Sequence, residues 1–234
     1  MKKLIMFLFA VIQFSCYSGW EKYESDEITT IKNFHWFSDT TKIKFNNTSG
    51  TETIIKNNFA FKDLNKNGKL DNYENWTLSA EERAEDLISQ MTVKEKAGSM
   101  FIHIAFVGEN GEIVDSPIEG NPISAAIPRM STMLHDLKMN HFNIFNVVSK
   151  ENMLKWTNMV QKIGEQSRLG IPITIASDPR HGVPKKIGPY SFTPFFSTWP
   201  SPLGLAATRD TSLVEEHAKI VKEEYRAIGI TLAL

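Results

Sequence analysis

The chain has 234 residues, 41% of them hydrophobic and 23% charged, with a net charge of -1 at neutral pH. That is enough apolar material for a real core and excludes a compositionally disordered chain. The near-zero charge lacks the basic footprint of a nucleic-acid binder, and the single cysteine, Cys16, excludes an intrachain disulfide.

Residues 1–15 carry Lys2 and Lys3 and then the apolar run Leu4 to Ile12. The run is too short to span a bilayer and has the form of a signal-peptide h-region, so the segment is set aside from the fold and the mature protein is expected to be exported. Cys16 follows Phe14 and Ser15 as at a bacterial lipoprotein processing site, although Gln13 stands where an aliphatic residue is usual. Lipidation there would attach the protein to a membrane, periplasmic or at the outer membrane. An ordinary secretory signal would leave Cys16 without a role. Residues 16–62 are rich in Ser, Thr, Asn and Lys without a sustained period, and read as a linker with a short strand pair.

Residues 63–74 fit the twelve-residue EF-hand loop. Asp63, Asn65, Asn67 and Asp71 stand at positions 1, 3, 5 and 9, Gly68 at the sharp turn, Lys69 where a backbone carbonyl ligates, and Glu74 at position 12. Calcium is a hard cation that takes six to eight oxygens, and this spacing wraps them around one centre. The expected role is structural. The competing reading is an Asn/Gly-rich turn that holds no metal.

Ser79 with Glu82 and Thr92 with Glu95 are capping boxes that start two helices, the first with Ala84, Leu87, Ile88 and Met91 along one face. Met100 to Val107 reads as a first buried strand, with His103 a core or lumen side chain. A long Pro/Gly-bearing excursion follows to Pro128. Ile127, Met130, Leu134 and Leu137 mark an amphipathic helix, His141 to Val147 a second strand, and Ser149 to Arg168 a long helix with Met153, Trp156, Met159, Val160 and Ile163 inward.

Ile171 to Ile175 lies between Gly170 and Pro179 and reads as a buried parallel strand. Ligands of α/β folds sit beyond the carboxyl ends of such strands, which puts Asp178, Arg180 and His181 where binding occurs. The alternative for Asp178 is local: accepting backbone N–H groups in an Asp-Pro turn. An aromatic-rich loop runs from Val183 to Trp199. Asp210 or Ser212 caps a helix reaching Gly229, with Leu213, Ala218, Val221 and Tyr225 inward, and Ile230 to Leu234 opens a fourth strand.

Several of these stretches together resemble one family. The segment Arg168 to Gly182, the run Trp199 to Asp210 and the stretch Glu223 to Ile230, with Asp86 to Gly98 upstream, look like the N-terminal domain of glycoside hydrolase family 3, the β-glucosidases and their relatives. The resemblance covers about residues 60–234. It implies an α/β chain forming a partial (β/α)8 TIM-type barrel, its first three to four βα units over residues 79–234, behind the EF-hand-like loop. A full barrel takes roughly 250 residues, so the chain is expected to be a fragment.

The implied activity is that of an exported retaining β-glucosidase acting on terminal non-reducing β-linked sugars of a β-glucoside or oligosaccharide, with no cofactor for catalysis. Such enzymes use two carboxyl groups about 5 to 5.5 Å apart. The resemblance assigns neither to this chain. It matches Asp178 to the family aspartate that holds hydroxyls of the terminal sugar; Arg180 and His181 match the same substrate-binding motif, with support around the pocket as their expected role. A competing reading is a non-catalytic surface lipoprotein that binds carbohydrate or a partner. A dinucleotide-binding protein is disfavoured, because no G-x-G-x-x-G follows any strand.

Overall fold

The structure is a computed structural model that describes residues 50–56, 59–182 and 195–234, together with the backbone of two short strands at 35–37 and 44–46. The expected signal segment, Cys16 and most of the aromatic loop lie outside the described residues. Two compact units emerge, one holding residues up to 89 with 168–170, the other residues 90–167 and 171–234.

In the first unit the expected linker contains two antiparallel pairs. Strand β1 (His35–Phe37) pairs with β2 (Lys44–Asn46), and β3 (Thr53–Lys56) with β4 (Phe59–Lys62). The second pair is a built hairpin. Ala60 and Phe61 are buried, the Trp76 indole stacks on Phe61 at 5.6 Å, and Trp76 Nε1 donates to the Ala60 carbonyl at 2.9 Å. The strand signal was weak because short, part-polar strands draw their stability from packing onto a neighbour and only partly from propensity.

The loop at 63–74 follows the hairpin directly. Asp63 is 2% exposed, and its carboxylate accepts the N–H groups of Asn67 at 3.1 Å and Gly68 at 2.9 Å. Gly68 has φ +73°, a conformation that penalises any side chain. The Asn65 and Asn67 amides both donate to Asp71 Oδ2. Glu74, 4% exposed, folds back to accept from the N–H groups of Leu64, Asn65 and Asp71.

Helix α1 (Ala80–Gln90) starts on the expected Ser79–Glu82 box, but its apolar face is narrower than expected. Leu87 is half-buried while Ala84 and Ile88 are exposed, and Arg83 and Asp86 on the inward side bond to the Tyr73 backbone. Helix α2 (Val93–Ser99) follows, with the Thr92–Glu95 box closed in both directions.

The second unit is built on four parallel strands in the order β5 (Ile102–Ala105), β6 (His141–Ile144), β7 (Thr174–Ser177) and β8 (Leu232–Ala233). All four therefore end at the same rim. Strand β5 is shorter than the eight-residue stretch Met100 to Val107 suggested. Met100 and Phe101 are exposed and Ile102 is 45% exposed, because β5 is the outermost strand among the described residues.

Between β5 and β6 a short helix, α3 (Pro122–Ala126), starts on Asn121 with proline in its first turn. The helix expected around Ile127 to Leu137 is instead a five-residue π turn, Thr132–Asp136, closed by Leu137 N–H donating to Thr132 O at 2.9 Å. Met130, Met133 and Leu134 still point inward, but Leu137 is exposed.

Helix α4 (Lys150–Gln166) covers the sheet with Met153, Trp156 and Val160, all fully buried against Phe142, Ile144 and Ile175. Helix α5 (Pro202–Thr208) starts on Ser201, and α6 (Thr211–Ala227) on Asp210. Tyr225 and Ile228 join the same core. Gly229 then turns the chain at φ +86°, close against Thr157 of α4, whose hydroxyl donates to the Ile228 carbonyl at 2.9 Å.

Candidate functional site at the strand tips

Asp178 is the first residue beyond β7 and is exposed. Ala176 pairs with Asn143 on one side and Leu232 on the other, so the alternation of β7 puts Thr174, Ala176 and Asp178 on one face of the sheet. On that face Asn143 Nδ2 donates to Asp178 Oδ2 at 3.2 Å. The other carboxylate oxygen has no partner described.

The backbone on either side of Pro179 is clamped from α6. The Tyr225 hydroxyl donates to the Asp178 carbonyl at 2.7 Å and accepts the Arg180 N–H at 3.0 Å. Tyr225 is 3% exposed, and burial raises its phenol above the ordinary range, which keeps the hydroxyl a donor. A single buried side chain thus fixes the turn that carries the carboxylate.

Arg180 does not reach outward. It is 5% exposed; Nε donates to Ser177 Oγ at 2.9 Å and Nη2 to the Ile144 carbonyl at 2.7 Å. Burial lowers its guanidinium from the usual value, against the pull of Tyr225 and Asp178. Its work is to tie the end of β7 to the end of β6.

His181 is also enclosed, at 2% exposure. Nε2 lies 2.7 Å from Glu224 Oε2, and the ring stacks on Phe196 at 4.9 Å. Burial pushes the imidazole down, outweighing the upward pull of Glu224, so the neutral ring donates its Nε2 proton to the carboxylate. For Glu224 burial works upward, but hydrogen bonds from Ser197 and His181 prevail and hold it below the ordinary carboxyl range. Trp199 N–H donates to the His181 carbonyl at 2.8 Å and Ser197 N–H to Glu224 at 3.0 Å, so the chain re-entering at 195 is pinned here.

The three residues of the Asp-Pro-Arg-His segment therefore separate by role. Asp178 faces solvent, whereas Arg180 and His181 are buried and brace it from below. A cleft of about 890 Å³, mostly apolar, is lined by Asp178, His181, Leu205, His217, Val221 and Tyr225. Three participants were not singled out as site residues from sequence: Asn143, Tyr225 and Glu224. The alternation in His141 to Ile144 was the available signal for Asn143, since it puts that amide on the face opposite the core residues Phe142 and Ile144. Glu224 and Tyr225 lie in the family-like stretch Glu223 to Ile230, but nothing local marks their partners, which lie more than forty positions away in the chain.

Among the described residues no three His, Cys, Asp or Glu side chains converge as a metal-binding group. The loop at 63–74 mixes acids with Asn65, Asn67 and the Lys69 carbonyl as candidate donors. Its two buried acids, Asp63 and Glu74, form no ion pair among the described residues, and burial raises the Glu74 carboxyl despite the backbone hydrogen bonds it accepts.

Known proteins are similar to this chain in sequence. The family model for the glycosyl hydrolase family 3 N terminal domain matches residues 119–234. A periplasmic beta-glucosidase/beta-xylosidase of Dickeya chrysanthemi is 40% identical over 190 residues, which cover 80% of this chain and 28% of that protein. Beta-glucosidase C of Emericella nidulans is 36% identical over 173 residues, covering 74% and 26%. A probable beta-glucosidase C of Aspergillus oryzae is 35% identical over 165 residues, covering 69% and 24%. The chain spans about a quarter of the length of these relatives.

Proposed function

Because the chain belongs to glycosyl hydrolase family 3 through its N-terminal domain, we propose that it serves an exported, retaining β-glucosidase-like hydrolase that removes terminal non-reducing β-linked sugars. The parallel sheet is read as the first units of a TIM-type barrel, whose active rim is the carboxyl end of the strands. Within that reaction this chain holds the sugar. The nucleophile and the acid/base, which retention requires as a closely spaced carboxyl pair, are not assigned to its residues.

One observation carries the reading: Asp178 stands exposed at the tip of a parallel strand, on a turn clamped by Tyr225 and Arg180. An ionised carboxylate accepts hydroxyl hydrogen bonds roughly twice as strong as neutral ones, and a clamped turn holds it in place before the ligand arrives. In the whole protein, Asp178→Ala is expected to lower kcat/KM for an aryl β-glucoside by at least about a hundredfold with the fold intact by circular dichroism. Unchanged kinetics would remove the assignment.

The loop at 63–74 is proposed to hold a structural calcium ion through Asp63, Asn65, Asn67, Lys69, Asp71 and Glu74. Two acids buried without a basic partner among the described residues support this, since backbone N–H groups alone leave the buried charge costly and a hard cation offsets it. Bound there, the ion would neutralise the loop and fix its fold; it takes no part in glycoside cleavage. Export, with membrane attachment through a lipidated Cys16, is proposed from the leader alone.

A further inference from the structure

We propose that the sugar subsite extends from Asp178 onto strand β6, where Asn143 is a positioning residue for the carboxylate and Phe145 is the apolar platform for the pyranose ring. The inference rests on the reading of Asp178 as the sugar-holding group.

Strand β6 sorts its side chains by face. Phe142 and Ile144 are fully buried against the helices, while His141, Asn143 and Phe145 are half-buried on the opposite face. Pairing continues past the end of the strand, because the Phe145 N–H donates to the Ala105 carbonyl at 2.9 Å. Asn143 is level with Ile104 and Ala176. Two residues further along each strand, the same face presents Phe106, Phe145 and Asp178 side by side. The Phe106 ring, 4% exposed, meets Phe145 edge-on at 6.0 Å and 75°, and so fixes its orientation.

Asn143 serves the carboxylate and nothing else that the structure describes. Its Nδ2 donates to Asp178 Oδ2, while its own Oδ1 is buried and accepts no hydrogen bond. A leucine in that place would leave no orphaned acceptor, so the amide costs the fold something. In return it turns the carboxylate and leaves the second oxygen to a ligand. A pyranose with equatorial hydroxyls has apolar C–H faces and a polar rim. An aromatic face beside a fixed carboxylate matches both, in the manner of ligand sites that are mostly apolar with a few placed polar groups.

The test uses the whole protein with an aryl β-glucoside, and Asp178→Asn as reference. Contacts that hold the ring equally in ground and transition states change KM and spare kcat. Phe145→Ala is expected to raise KM about tenfold with kcat within about twofold, and Phe145→Tyr to restore it. Asn143→Leu is expected to raise KM about fivefold with a melting temperature that is not lowered. If Asp178→Asn raises KM while Phe145→Ala and Asn143→Leu leave it in place, the extension onto β6 is wrong and the role of Asp178 survives. If Asp178→Asn also leaves KM in place, the reading beneath it has failed. A loss in Phe145→Ala that tyrosine does not restore, with a lowered melting temperature, assigns the ring to packing and overturns the proposal.

Discussion

His181 has one ring nitrogen against Glu224 and the other buried without a partner, so a second proton has nowhere good to go. His217 lies edge-on to the same ring at 6.1 Å and works against that proton, while Glu224 is the one acid described beside it. The folded state therefore binds a proton on His181 less readily than the unfolded chain, and stability rises with pH through that interval. The contribution is complete above the ordinary histidine range and drains away as pH falls through the lowered value. His141, lowered by burial, adds the same sign, and Glu224 extends the loss into the acid carboxyl range. Melting temperature should thus fall between pH 7.5 and 5. In His181→Gln, which can still donate to Glu224 but cannot titrate, the fall should be shallower from a lower start. Parallel profiles for the two proteins would show that His181 does not carry the effect. A supporting role for His181 was legible in the motif, but the partner it supports through was not. Neither the chain spacing nor the motif reveals that a carboxylate 43 residues away closes over the ring.

At the scale of elements, what could be read was what local chemistry decides. The boxes at Ser79 and Thr92, the start of α4 at Ser149, the Asp210 cap of α6 and the inward stripe Met153, Trp156 and Val160 all stand as expected, because each is set within a few residues. Two short helices were overlooked although proline in the first turn after Asn121 and after Ser201 is a start signal. The π turn could not be read, since one extra residue in a helical turn is set by tertiary packing of Met130, Met133 and Leu134. The loop at 63–74 belongs to this scale as well. Its spacing was legible, but whether it binds an ion depends on how well Asp63 and Glu74 tolerate burial without one. If calcium offsets that cost, millimolar calcium should raise the melting temperature and a chelator lower it, since an ion bound only by the folded state stabilises by mass action. Asp63→Asn should abolish the response. A melting curve indifferent to both additions would remove the ion from the account.

For the whole molecule, the sheet is asymmetric in what covers it. The face carrying Phe142, Ile144 and Ile175 is sealed by α4 and α6, whereas Ile102 and Leu232 on the other face are 45% and 39% exposed. Beside β8 the mostly apolar cleft of about 890 Å³ adds the partly exposed Val221 to that surface. An exposed outer strand offers unpaired N–H and C=O groups to any other strand, and natural edges are usually blunted by charge, bulge or cover. Among the described residues strand β8 shows none of these: the side chains of Leu232, Ala233 and Leu234 are exposed and uncharged, and no strand pairs with its outer side. A protein made of these 234 residues alone should therefore self-associate and bind a hydrophobic dye more strongly than the whole protein does. Light scattering and dye fluorescence measure both. Leu232→Lys and Leu234→Lys together should restore a monomer, because lysine on an edge disfavours strand addition without touching the buried face. Association that persists in that double variant would place the sticky surface on the open sheet face, and Ile102→Lys would then be the substitution that relieves it.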